Sequence, residues 1–300
     1  MHVNSRNKAQ FFYVKYVLIV LCVALLFIVA RSVFAANASA PNEPAPSVLS
    51  AVAIGQEPSQ EVQPKAPKRE VNTSNLQNAL KLITEKYPYN TSVSVVDLNS
   101  GNLIQTGDSY PFIAASTTKL LSSMLYLNNV ETGQASLDDE IGGKTARAQL
   151  ELAVNKSDNE AWTQINNYLN RESLAVYAKK QGLTSYDATK NTITSNDMAL
   201  LIAKFYKREL LNDEHTKLLL SWMQNTSEER FIPPAIPQGV ALYHKAGYLP
   251  ERVHDVAIVD NGSAPFVIVV YSKSFTDSYD FGAGQQLFKQ VTEQTVKTFQ

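Results

Sequence analysis

Ser116 and Lys119 lie three residues apart at the start of an apolar, helix-patterned stretch, so on a helix they share a face and the amine can reach the hydroxyl. A serine hydroxyl is a weak nucleophile until a neighbouring base takes its proton. A buried lysine with a lowered pKa can be that base. A helix start also offers free backbone N–H groups and the end of the dipole that favours negative charge. Taken alone, the pair reads first as a capping serine and a solvated lysine. The same Ser-x-x-Lys spacing recurs at Ser5 to Lys8, where it carries nothing. Two further groupings follow in order. Ser157-Asp158-Asn159 precedes Glu160-Ala161-Trp162, and all three of its residues are capping types. Lys245-Ala246-Gly247-Tyr248 closes a strand-patterned run at a glycine. Each has an ordinary structural reading; the ordered set of a hydroxyl, two amines, a second hydroxyl and an amide does not reduce to one.

The elements that must position these residues are legible from periodicity. Leu76, Leu80 and Ile83 are spaced as on a helix that Pro88 ends. Val93, Val95 and Val96 read as a strand, Asn99 to Asn102 as a turn, and Leu103 to Thr106 as the returning strand. Thr117 to Thr132 is helical, and helices follow over Ala146 to Val154, Asn159 to Asn170, Leu174 to Gln181, Ser195 to Tyr206 and His215 to Met223. Strands are expected at Val240 to Lys245, Val253 to Asp260 and Phe266 to Ser272, and a last helix from about Gly284 to Phe299. Strands at both ends and helices between them imply an α+β fold. The terminal strands make one antiparallel sheet flanked by the first and last helices, and the middle makes a helical lobe. A cleft between the two is the natural ligand site.

The chain has 300 residues, 44% of them hydrophobic, enough for one sizeable core. Its net charge of −1 argues against a nucleic-acid partner. The single cysteine, Cys22, excludes an internal disulfide and a cysteine-based metal site. Arg6, Lys8 and Lys15 precede the apolar run Tyr16 to Ala30, and the small residues Ala35 to Ala40 follow. That pattern over residues 1–36 is a signal peptide or a short membrane anchor, with the rest of the chain outside the cytoplasm, whether secreted, periplasmic or tethered. Residues 37–72 carry Pro41, Pro44, Pro46, Pro58, Pro64 and Pro67, and are expected to be a disordered linker. Residues 73–300 form the folded domain, expected to be a monomer.

The three groupings resemble the class A β-lactamase and penicillin-binding protein superfamily, whose pattern is S-x-x-K, S-D-N and K-T-G. The resemblance covers roughly Leu76 to Thr298. It implies that Ser116 attacks a carbonyl and is acylated, that Lys119 activates it, and that Ser157, with Lys245 beside it, passes a proton to the leaving nitrogen. Asn159 would hold the substrate amide and Lys119. The backbone N–H groups of Ser116 and Tyr248 would form an oxyanion hole, and Gly247 would permit close approach. The substrate implied is a β-lactam or a D-alanyl peptide of peptidoglycan, and no cofactor is called for.

The chain departs from that pattern twice. Ala246 lacks the K-T-G hydroxyl, whose hydrogen bond to a substrate carboxylate is worth about 1.5–3 kcal/mol. Arg252 and His254 lie two apart on the next strand; either could bind that carboxylate, or both could mark an exposed sheet edge. The second departure is the glutamate of the Ω-loop E-x-x-L-N motif, which has no counterpart between Gly182 and Thr194. The one carboxylate there, Asp187, reads as a surface or capping residue. On the resemblance, the groups for acylation are expected to be in place and those for deacylation to be impaired. Three readings follow: a β-lactamase-type serine hydrolase with slow release, a D-alanyl-D-alanine carboxypeptidase or transpeptidase, and a non-hydrolytic tethered module that binds penicillin or muropeptide. The four histidines, His2, His215, His244 and His254, have no metal-ligand spacing, and no G-x-S-x-G elbow supports another serine mechanism.

Overall fold

The computed structural model describes residues 71–300. The leader and linker expected over residues 1–72 lie almost wholly outside the described residues, and no described helix is long and apolar enough to cross a membrane. Helix α1 (Leu76–Thr84) leads into strands β1 (Tyr89–Asp97) and β2 (Leu103–Gly107). The short strand β3 (Phe112–Ile113) and a 3-10 turn over Ala115–Thr118 then open helix α2 (Lys119–Glu131). A two-strand ribbon, β4 (Glu140–Ile141) and β5 (Lys144–Thr145), precedes helices α3 (Ala146–Asn155), α4 (Asn159–Leu169) and α5 (Arg171–Lys180). Strand β6 (Thr192–Ile193) pairs back to β3, and helices α6 (Ser195–Tyr206) and α7 (Asp213–Trp222) follow. Strands β7 (Ala241–Leu249), β8 (Arg252–Asp260) and β9 (Phe266–Ser274) and helix α8 (Phe281–Phe299) complete the domain.

The five long strands form one antiparallel sheet in the order β2-β1-β9-β8-β7, so the first and last segments of the domain meet in its middle. This is the expected α+β arrangement. Its cause is visible in β9, which is buried nearly throughout and alternates between two cores. Ile268 and Val270 face one side with Leu76, Leu80, Leu287, Phe288 and Val291 of α1 and α8. Val267, Val269 and Tyr271 face the other, with Leu120, Met124, Met198 and Ile202 of α2 and α6. A sheet covered on both faces has few polar positions to offer, so its strands read as continuous apolar runs. β7 is the edge strand on one side; the Met223 carbonyl accepts from its His244 N–H, and its Gly247 lies against the turn that carries Ser116.

Sequence periodicity misplaced some boundaries. The last helix begins at Phe281, because Asp280 accepts from the Ala283 N–H and caps it there. Helix α5 begins at Arg171, capped by Asn170. The pairs β3–β6 and β4–β5 were not expected, being two-residue strands with no periodic signal.

Candidate active site

A cleft of about 210 Å³ is lined by Ser116, Lys156, Ser157, Asn159, Ser227, Glu228, Ala246 and Tyr248. Three elements supply its chemistry: the turn at the start of α2, the turn before α4, and the edge strand β7.

Ser116 follows Ala115, whose φ is +50°, a left-handed conformation that costs a non-glycine residue of order 1 kcal/mol. The tie that holds it is Asn191. Its side-chain N–H₂ donates to the Ala115 carbonyl at 3.1 Å, its Oδ1 accepts from Thr118 Oγ1 at 2.7 Å, and its carbonyl accepts from the Ala114 N–H at 2.8 Å. Thr117 adds bonds to the Ala114 carbonyl and the Tyr271 hydroxyl. From the other side β7 presses directly on the turn: a Cβ added to Gly247 would lie 2.6 Å from the Ser116 nitrogen and 3.0 Å from the Thr117 nitrogen. Only glycine permits that approach. The Ser116 hydroxyl itself has no hydrogen-bond partner among the described residues.

Lys119 is fully buried, and its ammonium donates to the Ser157 carbonyl at 2.6 Å and to Asn159 Oδ1 at 2.8 Å. Burial, reinforced by the charge of Lys245, lowers its pKa to about 7, against a smaller opposing effect of Asp158. Lys245, 2% exposed, donates to Ser157 Oγ at 2.9 Å and to the Ala246 carbonyl at 2.8 Å. Burial lowers it to about 8, with Asp255 and Glu228 holding it up. Ser157 takes a φ of +57°, and Asp158 caps α4 by accepting from the Ala161 N–H. The capping reading of this motif and its place in the cleft are thus both true, for different residues. Ala246 puts a methyl group on the cleft wall where the family pattern has a hydroxyl.

Arg252 and His254 correct the sequence reading, since neither lines this cleft nor forms an exposed edge. Arg252 is buried, with its guanidinium on Glu251. His254 is fully buried between Phe112 and Tyr271. Its Nδ1 accepts from the Ser272 N–H at 3.2 Å, which leaves Nε2 to donate to the Ile113 carbonyl at 2.9 Å. Burial holds it neutral, at about 3. It is a strut between the sheet and the segment leading to Ser116.

Asp187 lies on the loop before β6, where its Oδ1 accepts from the Thr189 and Lys190 N–H groups at 2.8 and 3.1 Å. Those bonds hold its carboxyl below the usual range. It caps its own turn, away from the cleft.

Sequence reasoning missed Ser227 and Glu228, which reach the cleft on the loop after α7. Asn155 holds that loop: its carbonyl accepts from the Ser227 N–H, and its side chain donates to the Trp222 and Gln224 carbonyls. Behind it, His244 lies between Asp255 at 3.1 Å and Glu229 at 3.1 Å. Burial opposes a charge on this ring, but the two carboxylates outweigh it and lift the pKa to about 9. No periodic signal or motif marks these contacts. Among the described residues no cluster of His, Cys, Asp or Glu could hold a metal ion.

The family profile described as "Beta-lactamase enzyme family" matches residues 75–299. Among solved structures, that of PBP-A is 23% identical, with a TM-score of 0.69 over 78% of this chain and 98% of that one. A mutant of PBP-A has been solved as its acyl-enzyme complex with penicillin G. An ancestral class A β-lactamase matches with a TM-score of 0.69, 20% identity, 75% of this chain and 100% of that one. A β-lactamase from Xanthomonas campestris matches with a TM-score of 0.69, 19% identity, 76% of this chain and 99% of that one. No match is found among curated proteins. At these identities the solved structures speak to the fold.

Proposed function

The chain belongs to the beta-lactamase enzyme family, and from that premise we propose that it is a serine acyl-transfer enzyme whose Ser116 is acylated by β-lactams and releases the acyl group slowly. The observation that carries the reading is the pair of buried lysines joined through Ser157 beside an unbonded Ser116 hydroxyl. In its neutral form Lys119 still donates two N–H groups, to Ser157 and Asn159, and keeps its lone pair for the Ser116 proton. A pKa of about 7 makes that form accessible at neutral pH. Ser116 Oγ then attacks the lactam carbonyl, and the backbone N–H groups of Ser116 and Tyr248 take the developing oxyanion. Lys245 donates to Ser157 Oγ, so the Ser157 proton is free to pass to the leaving nitrogen as the ring C–N bond breaks. The proton taken up by Lys119 then restores the Ser157 hydroxyl, so the Ser116 proton passes net to the ring nitrogen, leaving acylated Ser116 and a protonated ring nitrogen with no cofactor.

Release requires a water and a base near the ester. Glu228, the carboxylate that lines the cleft, is held by Arg230, and Asp187, the one carboxylate of the 182–194 loop, is engaged by its own turn; both support slow release. Asn159 Oδ1, already bound by Lys119, leaves its N–H₂ for a substrate carbonyl. We place the enzyme outside the cytoplasm on the strength of the leader. The test is intact-protein mass spectrometry of the full chain with benzylpenicillin. One covalent adduct on the wild type and none on Ser116→Ala supports the reading; no adduct on the wild type, or the same adduct on the variant, contradicts it. Turnover of a D-alanyl-D-alanine peptide by an enzyme that also forms the adduct would instead make the peptide its substrate.

A further inference from the structure

A second cleft, of about 500 Å³, lies between α4, the start of α5 and the short loop before β6, and its lining includes Trp162, Asn166, Asn167, Asn170, Arg171 and Tyr186. Its size falls within the roughly 300–1,000 Å³ usual for small-molecule sites. The composition is distinctive: two large aromatic side chains, three carboxamides in a row along one wall, and one charge. The aromatic wall is fixed. Trp162 Nε1 donates to Ser122 Oγ at 3.2 Å, and Ser122 Oγ donates to Asn166 Oδ1 at 2.7 Å, which sets both side chains. Tyr186 packs partly on the core, and burial pushes its hydroxyl up to about 12, so it stays a donor.

The polar wall is unsatisfied in one direction. Asn166 Oδ1 is taken by Ser122 and Asn170 Oδ1 by the Ser173 N–H, so each has its N–H₂ group left over. The side chains of Asn167 and Arg171 have no hydrogen-bond or ion-pair partner among the described residues. The cleft thus offers aromatic faces for C–H groups and an excess of planar N–H donors for neutral oxygens. A peptide is poorly served, because the one strand on this loop, β6, already pairs with β3. A polyanion would need more than one cation. A lipid chain would leave the carboxamide N–H groups and the Arg171 guanidinium without acceptors.

We propose that this cleft is a saccharide subsite, taking an acetamido-bearing pyranose whose ring packs on Trp162 and Tyr186 and whose carbonyl and hydroxyl oxygens accept from Asn166, Asn167, Asn170 and Arg171. The site adjoins the catalytic one, since the Trp162 ring lies 5.7 Å from the Lys119 ammonium. It does not depend on the acylation chemistry proposed above.

The experiment is isothermal titration of the full chain, without any β-lactam, using chitotetraose and an acetylated tetra-alanine peptide as probes. The variant is Asn167→Ala with Arg171→Ala, both at exposed positions that make no contact with Lys119, Ser157 or Lys245. Saturable binding of chitotetraose is expected, weaker by about tenfold or more in the variant, with the rate of penicillin acylation and the thermal midpoint unchanged. No saturable binding of chitotetraose, undiminished binding in the variant, or tighter binding of the peptide would overturn the proposal.

Discussion

Around Ser116, groups from three separate elements are tied together beside one small cleft: Lys119 from α2 and Lys245 from β7 both bond to Ser157 in the turn before α4, and Lys119 also to Asn159. The loop from Gly182 to Thr194 reaches the same turn through Asn191 but is built the other way. Asn191 is half-buried and clamps the turn that carries Ser116. Asp187, the loop's only carboxylate, satisfies the N–H groups of Thr189 and Lys190. A charged group serves chemistry only when its hydrogen-bonding capacity is left for substrate or water. The first region leaves the Ser116 hydroxyl and one N–H of each lysine unspent, so it is a site and the second region is its support. On the function proposed above, forming an acyl-enzyme and hydrolysing it are separable demands on one fold, and the residues around Ser116 suit the first.

The largest expected break in the comparison comes from Lys119. Lys119→Met should lower the rate of penicillin acylation by roughly 10²–10⁴-fold, the range for loss of a general base. A stopped-flow reporter assay reads it, and a loss under tenfold would remove Lys119 from the proton path. Gly247→Ala comes next. Its Cβ would meet backbone nitrogens of the Ser116 turn, and misplacing a reacting group by about 1 Å can cost ~10²-fold. A fold-preserving Gly247→Ala with an unchanged rate would show that β7 does not set the position of Ser116.

The two lysines give the pH dependence. Acylation should rise as pH passes about 7, where Lys119 becomes neutral, and fall above about 8, as Lys245 loses its charge. The pair titrates together, so the profile is a single narrow bell. A rate that climbs monotonically to pH 10 would contradict the separate roles.

His244 tests what holds the cleft's other wall. Its folded pKa, about 9, lies above the usual 6.5. Its stabilisation is therefore fully present below about 6.5 and is lost as pH rises through about 9. His244→Gln should cost roughly 3 kcal/mol in urea unfolding at pH 6, from the size of that shift, and much less at pH 9.5. Equal losses at both would mean that the ring is not charged in the folded state. The smallest effect is expected at Asp187: Asp187→Asn should leave the release rate within about twofold, since the residue does not face the cleft. A collapse of release in that variant would make Asp187 the missing base.

Much of this was legible in the sequence because it rests on short-range rules. The apolar runs of β8 and β9, the helix spacing of Leu76 and Leu80, and the three ordered motifs fixed the layers and most of the cleft. What failed rests on contacts across the fold. Arg252 and His254 alternate on a strand as surface residues would, but β8 is covered on both faces, so His254 became a strut. Ser227 and Glu228 lie on a loop whose course is set by Asn155, far away in sequence. Asn191 looks like any loop asparagine until Ala115 takes a left-handed conformation and needs a partner. Phe281 opens α8 because Asp280 caps it, a signal that hydrophobic spacing alone does not carry.

The most direct test of the central claim follows the adduct through time. The full chain is acylated with benzylpenicillin, free drug is removed, and the intact mass is monitored. The account predicts a Ser116 adduct that forms completely and persists far longer than it took to form. Release as fast as formation, with drug consumed over many turnovers and no adduct accumulating, would contradict it.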